Sequence, residues 1–151
     1  WDSSLVDPDN RRPVDFALRQ RLLGEMEGLS AESVMARTDE GLPKLWLISR
    51  ALGLRRARPQ AFGPQGEYVA LATSGAAADH VVAFSRGGEV VTVVPRLQLR
   101  LRGDWADTRV SLPDGVWRNE LTGEDLPGGA TAPGRLFARF PVALLSRSPG
   151  A

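Results

Sequence analysis

The feature that most narrows the fold is a change of hydrophobic period near Pro59. Before it, apolar residues recur at the spacing of an amphipathic helix, about 3.6 residues; after it they alternate, as in half-buried strands. Glycine and proline shift with it. Residues 1–59 hold 4 of the 16 glycines and 4 of the 11 prolines, and the remaining 92 residues hold the other 12 and 7. A helical segment followed by short, frequently turning strands is the expected organisation.

From Pro13 to Glu27, Val14, Ala17, Leu18, Leu22 and Met26 share one half of a helical wheel, with Pro13 suited to the first turn and Gly28 to the stop. Phe16 and Leu23 project from the other half, so this helix is expected to touch structure on two faces. Ser30 is placed to cap a short helix through Ala36, with Glu32 near its positive end, and Thr38–Gly41 reads as a loop. Pro43 opens a second long helix that must end before Pro59. Its Leu45-Trp-Leu-Ile48 stretch is apolar all round, which predicts burial between neighbours.

Beyond Gly66, strands are expected at Glu67–Ala72, His80–Ser85, Glu89–Val94, Leu97–Arg102, Thr108–Leu112, Val116–Leu121, Arg135–Phe140 and Val142–Leu145. Arg86-Gly-Gly-Glu89 supplies the φ > 0 residues of a tight hairpin. Leu97-Gln-Leu-Arg-Leu-Arg102 alternates perfectly, Leu121–Asp125 reads as a turn, and the apolar-poor Pro127–Gly134 as a mobile loop. Short strands at this spacing imply an antiparallel β-sandwich or barrel.

The densest polar motif lies near the start, in Asp7-Pro-Asp-Asn-Arg-Arg-Pro13. Its two prolines bias Asp7 and Arg12 toward extended backbone, so the loop is partly ordered before any ligand arrives. Asp7 offers two acceptors and Arg11 a planar fork of donors, which suits neighbouring sugar hydroxyls as well as carboxylates. Asp9 or Asn10 can equally serve as an ordinary cap for the helix that follows.

Read with its flanks, Trp1–Asp15 closely resembles the segment after the eighth barrel strand in the maltooligosyltrehalose synthases of the α-amylase family. Gly41–Ile48, Leu54–Arg56, His80–Arg86, Val91–Arg96 and Trp117–Gly123 resemble, in the same order, that family's C-terminal region. The resemblance implies an α+β fragment, with residues 1–59 as loop and terminal helices of a (β/α)8 barrel and residues 60–151 as an antiparallel β-sandwich C-terminal domain. It implies an intramolecular transglucosylase that converts the reducing-end α-1,4 bond of a maltooligosaccharide to an α,α-1,1 bond. The family's nucleophile, acid/base and stabilising carboxylates belong to earlier barrel strands, so no catalytic residue is expected here and the chain alone is expected to be inactive. By the same resemblance Asp7 and Arg11, with Asn10 between them, hold the glucosyl unit before the scissile bond. Arg12 departs from the general motif, and its role stays open.

Asp7 and Asp9 do not replace the missing pair, because alternate residues of an extended loop point to opposite sides. His80, the only histidine, cannot assemble a metal site by itself, and no cysteine is present; no metal or cofactor is expected. Trp105, Trp117 and Tyr68 are candidates for a sugar-stacking platform, although aromatics on short strands are more often core. Net charge is +1 and the signs are interspersed, without the basic patch of a nucleic-acid binder. No apolar run approaches the roughly 20 residues of a membrane span. Trp1 reads as a boundary within a longer protein, and a cytoplasmic location is expected. The alternative is a non-catalytic carbohydrate-binding or interaction β-module; the long apolar helix after Pro43 favours the barrel-tail reading.

Overall fold

The computed structural model describes residues 14–148. Helix α1 spans Phe16–Glu25, α2 Ala31–Met35, and α3 Leu42–Ala57, with a 3-10 turn at Thr38–Glu40 between the last two. After the short α4 (Pro59–Phe62) come β1 (Tyr68–Ala70), β2 (Thr73–Ser74), β3 (Val81–Arg86), β4 (Val90–Pro95) and α5 (Gln98–Leu101). The chain closes with β5 (Arg109–Asn119), β6 (Asp125–Thr131), α6 (Pro133–Leu136) and β7 (Ala143–Arg147).

Local chemistry sets the helix ends. The side chain of Asp15 accepts from the Leu18 amide at 2.8 Å, so the cap of α1 falls on Asp15 rather than on the expected Asp9 or Asn10, which lie outside the described residues. Ser30 caps α2 as expected. Gly41, left-handed at φ 74°, turns the chain into α3, Pro43 sits in its first turn, and the Arg58 amide closes it on the Leu54 carbonyl just before Pro59. The contact on two faces expected of α1 is not seen among the described residues: Leu22 and Met26 are buried, while Phe16 is 76% and Leu23 46% exposed. In α3 Trp46 is buried, but Ile48 is 44% and Leu52 55% exposed, so the apolar stretch is covered on one side only.

All strand pairs are antiparallel, and hydrogen bonds join the seven strands into one sheet, ordered β1-β3-β4-β7-β5-β2 with β6 on β5. The expected sandwich of two sheets is thus replaced, in its bonding, by one continuous ladder. Strand β5 makes this possible. Its pairing with β6 shifts register between Leu112 and Val116, β2 pairs with its first half and β7 with its second.

Each face of the sheet carries a core. On one, Val90, Leu144, Leu121 and Phe140 pack with Leu22, Met26, Val34, Leu42, Trp46 and Leu54 of the helices. On the other, Val81, Ala83, Val91, Val93, Leu126, Leu145 and Trp117 pack with Leu136 of α6. The helical segment is therefore a layer of the same packed body as the sheet. The Gly87–Gly88 hairpin forms as expected, with φ of 55° and 64°.

Three expectations are corrected. Leu97–Arg102 is not a strand: Leu97 and Arg102 are left-handed, Gln98–Leu101 is helical, and Leu99 is 96% exposed. Proline at 95 has no N–H with which to carry the ladder forward, and the alternating leucines find no second core face. Arg135–Phe140 is likewise not a strand; Pro133, preset for a first helical turn, starts α6 there. Finally, most of the expected loop Pro127–Gly134 is strand β6, paired with β5 from Asp125 to Thr131. Its glycines hide the strand from an apolar pattern, and at Gly128 the reason is close backbone contact: a Cβ there would lie 2.2 Å from the Pro113 carbonyl oxygen.

Candidate functional site

Asp7, Asn10 and Arg11, the residues expected to bind substrate, lie outside the described residues. The structure does place the other candidates, and it keeps them apart. Register carries Tyr68 through Arg86, Val90 and Ser146 to Arg118, so Tyr68 shares a sheet face with Arg118, while Trp117 points to the opposite one. Trp117 is fully buried and its indole N–H donates to the Pro113 carbonyl at 2.8 Å. Trp105 packs on Phe137, ring centroids 5.4 Å apart, and Tyr68 stacks on Phe84 at 4.9 Å. No joint stacking platform results. His80 Nδ1 lies 3.2 Å from the Arg96 carbonyl oxygen, a contact in which the ring donates and the loop after β4 is tied back to the start of β3. Among the described residues, no group of three or more His, Asp or Glu side chains is placed to hold a metal.

What the sequence does not reveal is a groove between the helices and the sheet. It encloses about 620 Å³ between α1, α3 and the ends of β5 and β7, and opens beside a smaller recess of about 210 Å³ under the β5–β6 turn. Trp46 lies at the junction. Its indole N–H donates to the buried Leu121 carbonyl at 3.2 Å, and the Arg50 guanidinium stacks over its ring at 4.1 Å from the centroid. Opposite, Glu120 accepts from the Ser146 hydroxyl. Arg58, at one end, donates to Glu89 at 2.6 Å and to the Arg147 carbonyl at 2.9 Å. Trp46 and Arg50 are neighbours on α3, but Glu120 lies 70 residues beyond Arg50 and Ser146 another 26 beyond Glu120, so no local motif marks the group.

Ion pairs brace the walls of the groove. Arg139, before β7, holds both carboxylate oxygens of Glu32 on α2, and that guanidinium is the main reason the Glu32 carboxyl is lowered from 4.5 to about 2. Arg37 donates to Glu25 at 2.7 Å and to Glu40 at 2.6 Å, joining α1 to the 3-10 turn and lowering both carboxyls below their usual range. These groups are committed to each other. They position the helices, and the charged side chains that line the groove are Glu27, Arg50, Arg58 and Glu120.

No protein-family model matches the chain. Two strains of Mycobacterium tuberculosis carry a protein provisionally named maltooligosyl trehalose synthase that is 42% identical over 148 residues, 97% of this chain and 17% of the relative. Among solved structures, the maltooligosyltrehalose synthase from Arthrobacter ramosus is 41% identical and superposes with a TM-score of 0.81 over 98% of this chain and 19% of its own. A further crystal structure of a maltooligosyl trehalose synthase, 23% identical, shares the fold with a TM-score of 0.69 over 98% of this chain and 18% of its own. The chain thus spans 17% of the length of the curated relatives it matches. Agreement of sequence and fold over nearly every residue makes the chain homologous to the C-terminal part of the maltooligosyltrehalose synthases.

Proposed function

We propose that the chain serves as the C-terminal part of an intramolecular transglucosylase, which converts the reducing-end α-1,4 bond of a maltooligosaccharide to an α,α-1,1 bond. The observation that carries this reading is the 41% identity and TM-score of 0.81 to the Arthrobacter ramosus synthase over 98% of this chain. Residues 1–59 end the catalytic barrel in this reading, and residues 60–151 form the domain that follows. The shared core of helices and sheet supports a role as a rigid buttress: Trp46 and Leu42 of α3 pack with Leu121 and Leu144 of the sheet side.

Asp7, Asn10 and Arg11 are the proposed substrate contacts, and the nucleophile, acid/base and stabilising carboxylates of glycosyl transfer lie in the part of the protein that precedes them. The substrate is a neutral maltooligosaccharide. The interspersed charges, with a net of +1, fit that better than a nucleic-acid partner. Among the described residues no helix is long and apolar enough to cross a membrane. A cytoplasmic location and the absence of a resident cofactor belong to the same reading.

Segment exchange tests it. Replacing the matching part of the Arthrobacter ramosus synthase with this chain is expected to give an enzyme that still isomerises maltopentaose, while the 151-residue chain by itself converts none. A correctly folded exchange enzyme with no turnover would overturn the proposal, as would turnover by the isolated chain.

A further inference from the structure

We propose that the groove between α1, α3 and the ends of β5 and β7 binds a neutral glucosyl oligosaccharide, at a site separate from the Asp7–Arg11 loop. The inference rests on the maltooligosaccharide reading above for the identity of the sugar, and on the groove for its place.

The lining is mixed in polarity: Leu23, Met26 and Leu54 are apolar, and Arg50, Glu120 and Ser146 are polar. A pyranose has the same mixture, with axial C–H groups on its faces and hydroxyls around its rim. Arg50 is held by a ring rather than by a carboxylate, so its planar N–H fork is oriented in advance and little side-chain freedom is lost when it donates. The Glu120 carboxylate, steadied by Ser146, retains further acceptor capacity for hydroxyl donors. A fork of donors and an acceptor-only group lining the same groove can engage neighbouring sugar hydroxyls as acceptors and as donors.

Charge chooses among polar ligands. The groove lining carries Arg50 and Arg58 against Glu27 and Glu120, a formal sum of zero. In the recess beside it, Arg139 is taken up by Glu32, and Arg118 approaches Asp125 at 3.4 Å. A phosphorylated sugar would find no unbalanced positive field, whereas a neutral glucan has no charge to desolvate. About 620 Å³ lies within the usual range of small-ligand sites.

Titration of the 151-residue chain with maltopentaose, followed through its backbone amide resonances, tests the site. Saturable shifts are expected at Ser49, Gly53 and Ser146, with a dissociation constant on the order of 1 mM. Arg50→Gln and Glu120→Gln should each weaken binding at least about tenfold at unchanged melting temperature, and Asp7→Ala should leave these shifts in place. The inference is overturned by the absence of saturable shifts up to about 50 mM sugar, by shifts insensitive to both groove substitutions, by shifts lost with Asp7→Ala, or by tighter binding of glucose 6-phosphate than of maltopentaose. Failure here leaves the segment-exchange result untouched, so the two readings stand or fall separately.

Discussion

Arg139 and Glu32 are 107 residues apart and meet through paired hydrogen bonds, Nε to Oε1 and Nη2 to Oε2, the latter at 3.1 Å. The contact fastens α2 to the segment that leads into β7, and it does so at the surface, where both side chains remain partly exposed. Its weight is therefore in geometry more than in stability at neutral pH.

Acid should reveal it. The Arg139 guanidinium lowers the folded-state Glu32 carboxyl to about 2 from an ordinary 4.5. Folding then favours the ionised form, so the contribution is complete above about pH 4.5 and is lost as pH falls toward about 2. Glu25 and Glu40, lowered by Arg37, act in the same direction. The melting-temperature difference between the native chain and Glu32→Gln is expected to shrink steadily over that window. A difference independent of pH would show that the pair is not linked to folding.

Trp46→Phe should cost about 1–3 kcal/mol in chemical denaturation, because the buried Leu121 carbonyl loses its donor and a small void opens where the indole was. Trp117→Phe removes a comparable bond to the Pro113 carbonyl and is expected to cost a similar amount. Sugar binding should survive the Trp117 change, since that ring is fully enclosed.

Two glycines separate close approach from simple flexibility. Gly128→Ala is expected to destabilise by more than about 1 kcal/mol, because its Cβ meets the Pro113 carbonyl oxygen at 2.2 Å and backbone must move to admit it. Gly24→Ala, in helix α1 with nothing within 4 Å, should stabilise by about 0.5–1 kcal/mol through helix propensity and unfolded-state entropy. Equal effects in denaturant titrations would contradict the packing of β6 against β5.

These glycines also explain what was legible in the sequence. Helix α3 was readable because Gly41, Pro43 and Pro59 bound it and its apolar stretch is long. The β3–β4 hairpin was readable because two adjacent glycines supply the φ > 0 residues of a tight turn. Strand β6 was not, since Gly128 serves close backbone contact, Gly129 a left-handed φ of 98°, and neither buries a side chain that a pattern would register. Leu97–Arg102 misled for the opposite reason, an alternation with no neighbouring strand to use it. The family was legible in ordered motifs, whereas the groove was not, because Arg50, Trp46, Glu120 and Ser146 converge only after the helices fold onto the sheet.

Asp15 offers a control for the neighbouring loop. Asp15→Ala removes the oxygen that accepts from the Leu18 amide and should lower stability by about 1 kcal/mol. Kinetic constants of an enzyme carrying this chain should change little, because the residue caps a helix and is not among the proposed substrate contacts.

The most direct measurement of the account is the steady-state kinetics of that exchange enzyme with Arg11→Lys, on maltopentaose. Lysine keeps the charge and loses the planar fork, so kcat/KM should fall at least about tenfold, roughly 1.4 kcal/mol of transition-state binding, with kcat itself reduced and the melting temperature unchanged. Unaltered kcat/KM in Arg11→Lys and also in Asp7→Ala, with only a lowered melting temperature, would contradict the assignment of this loop to substrate.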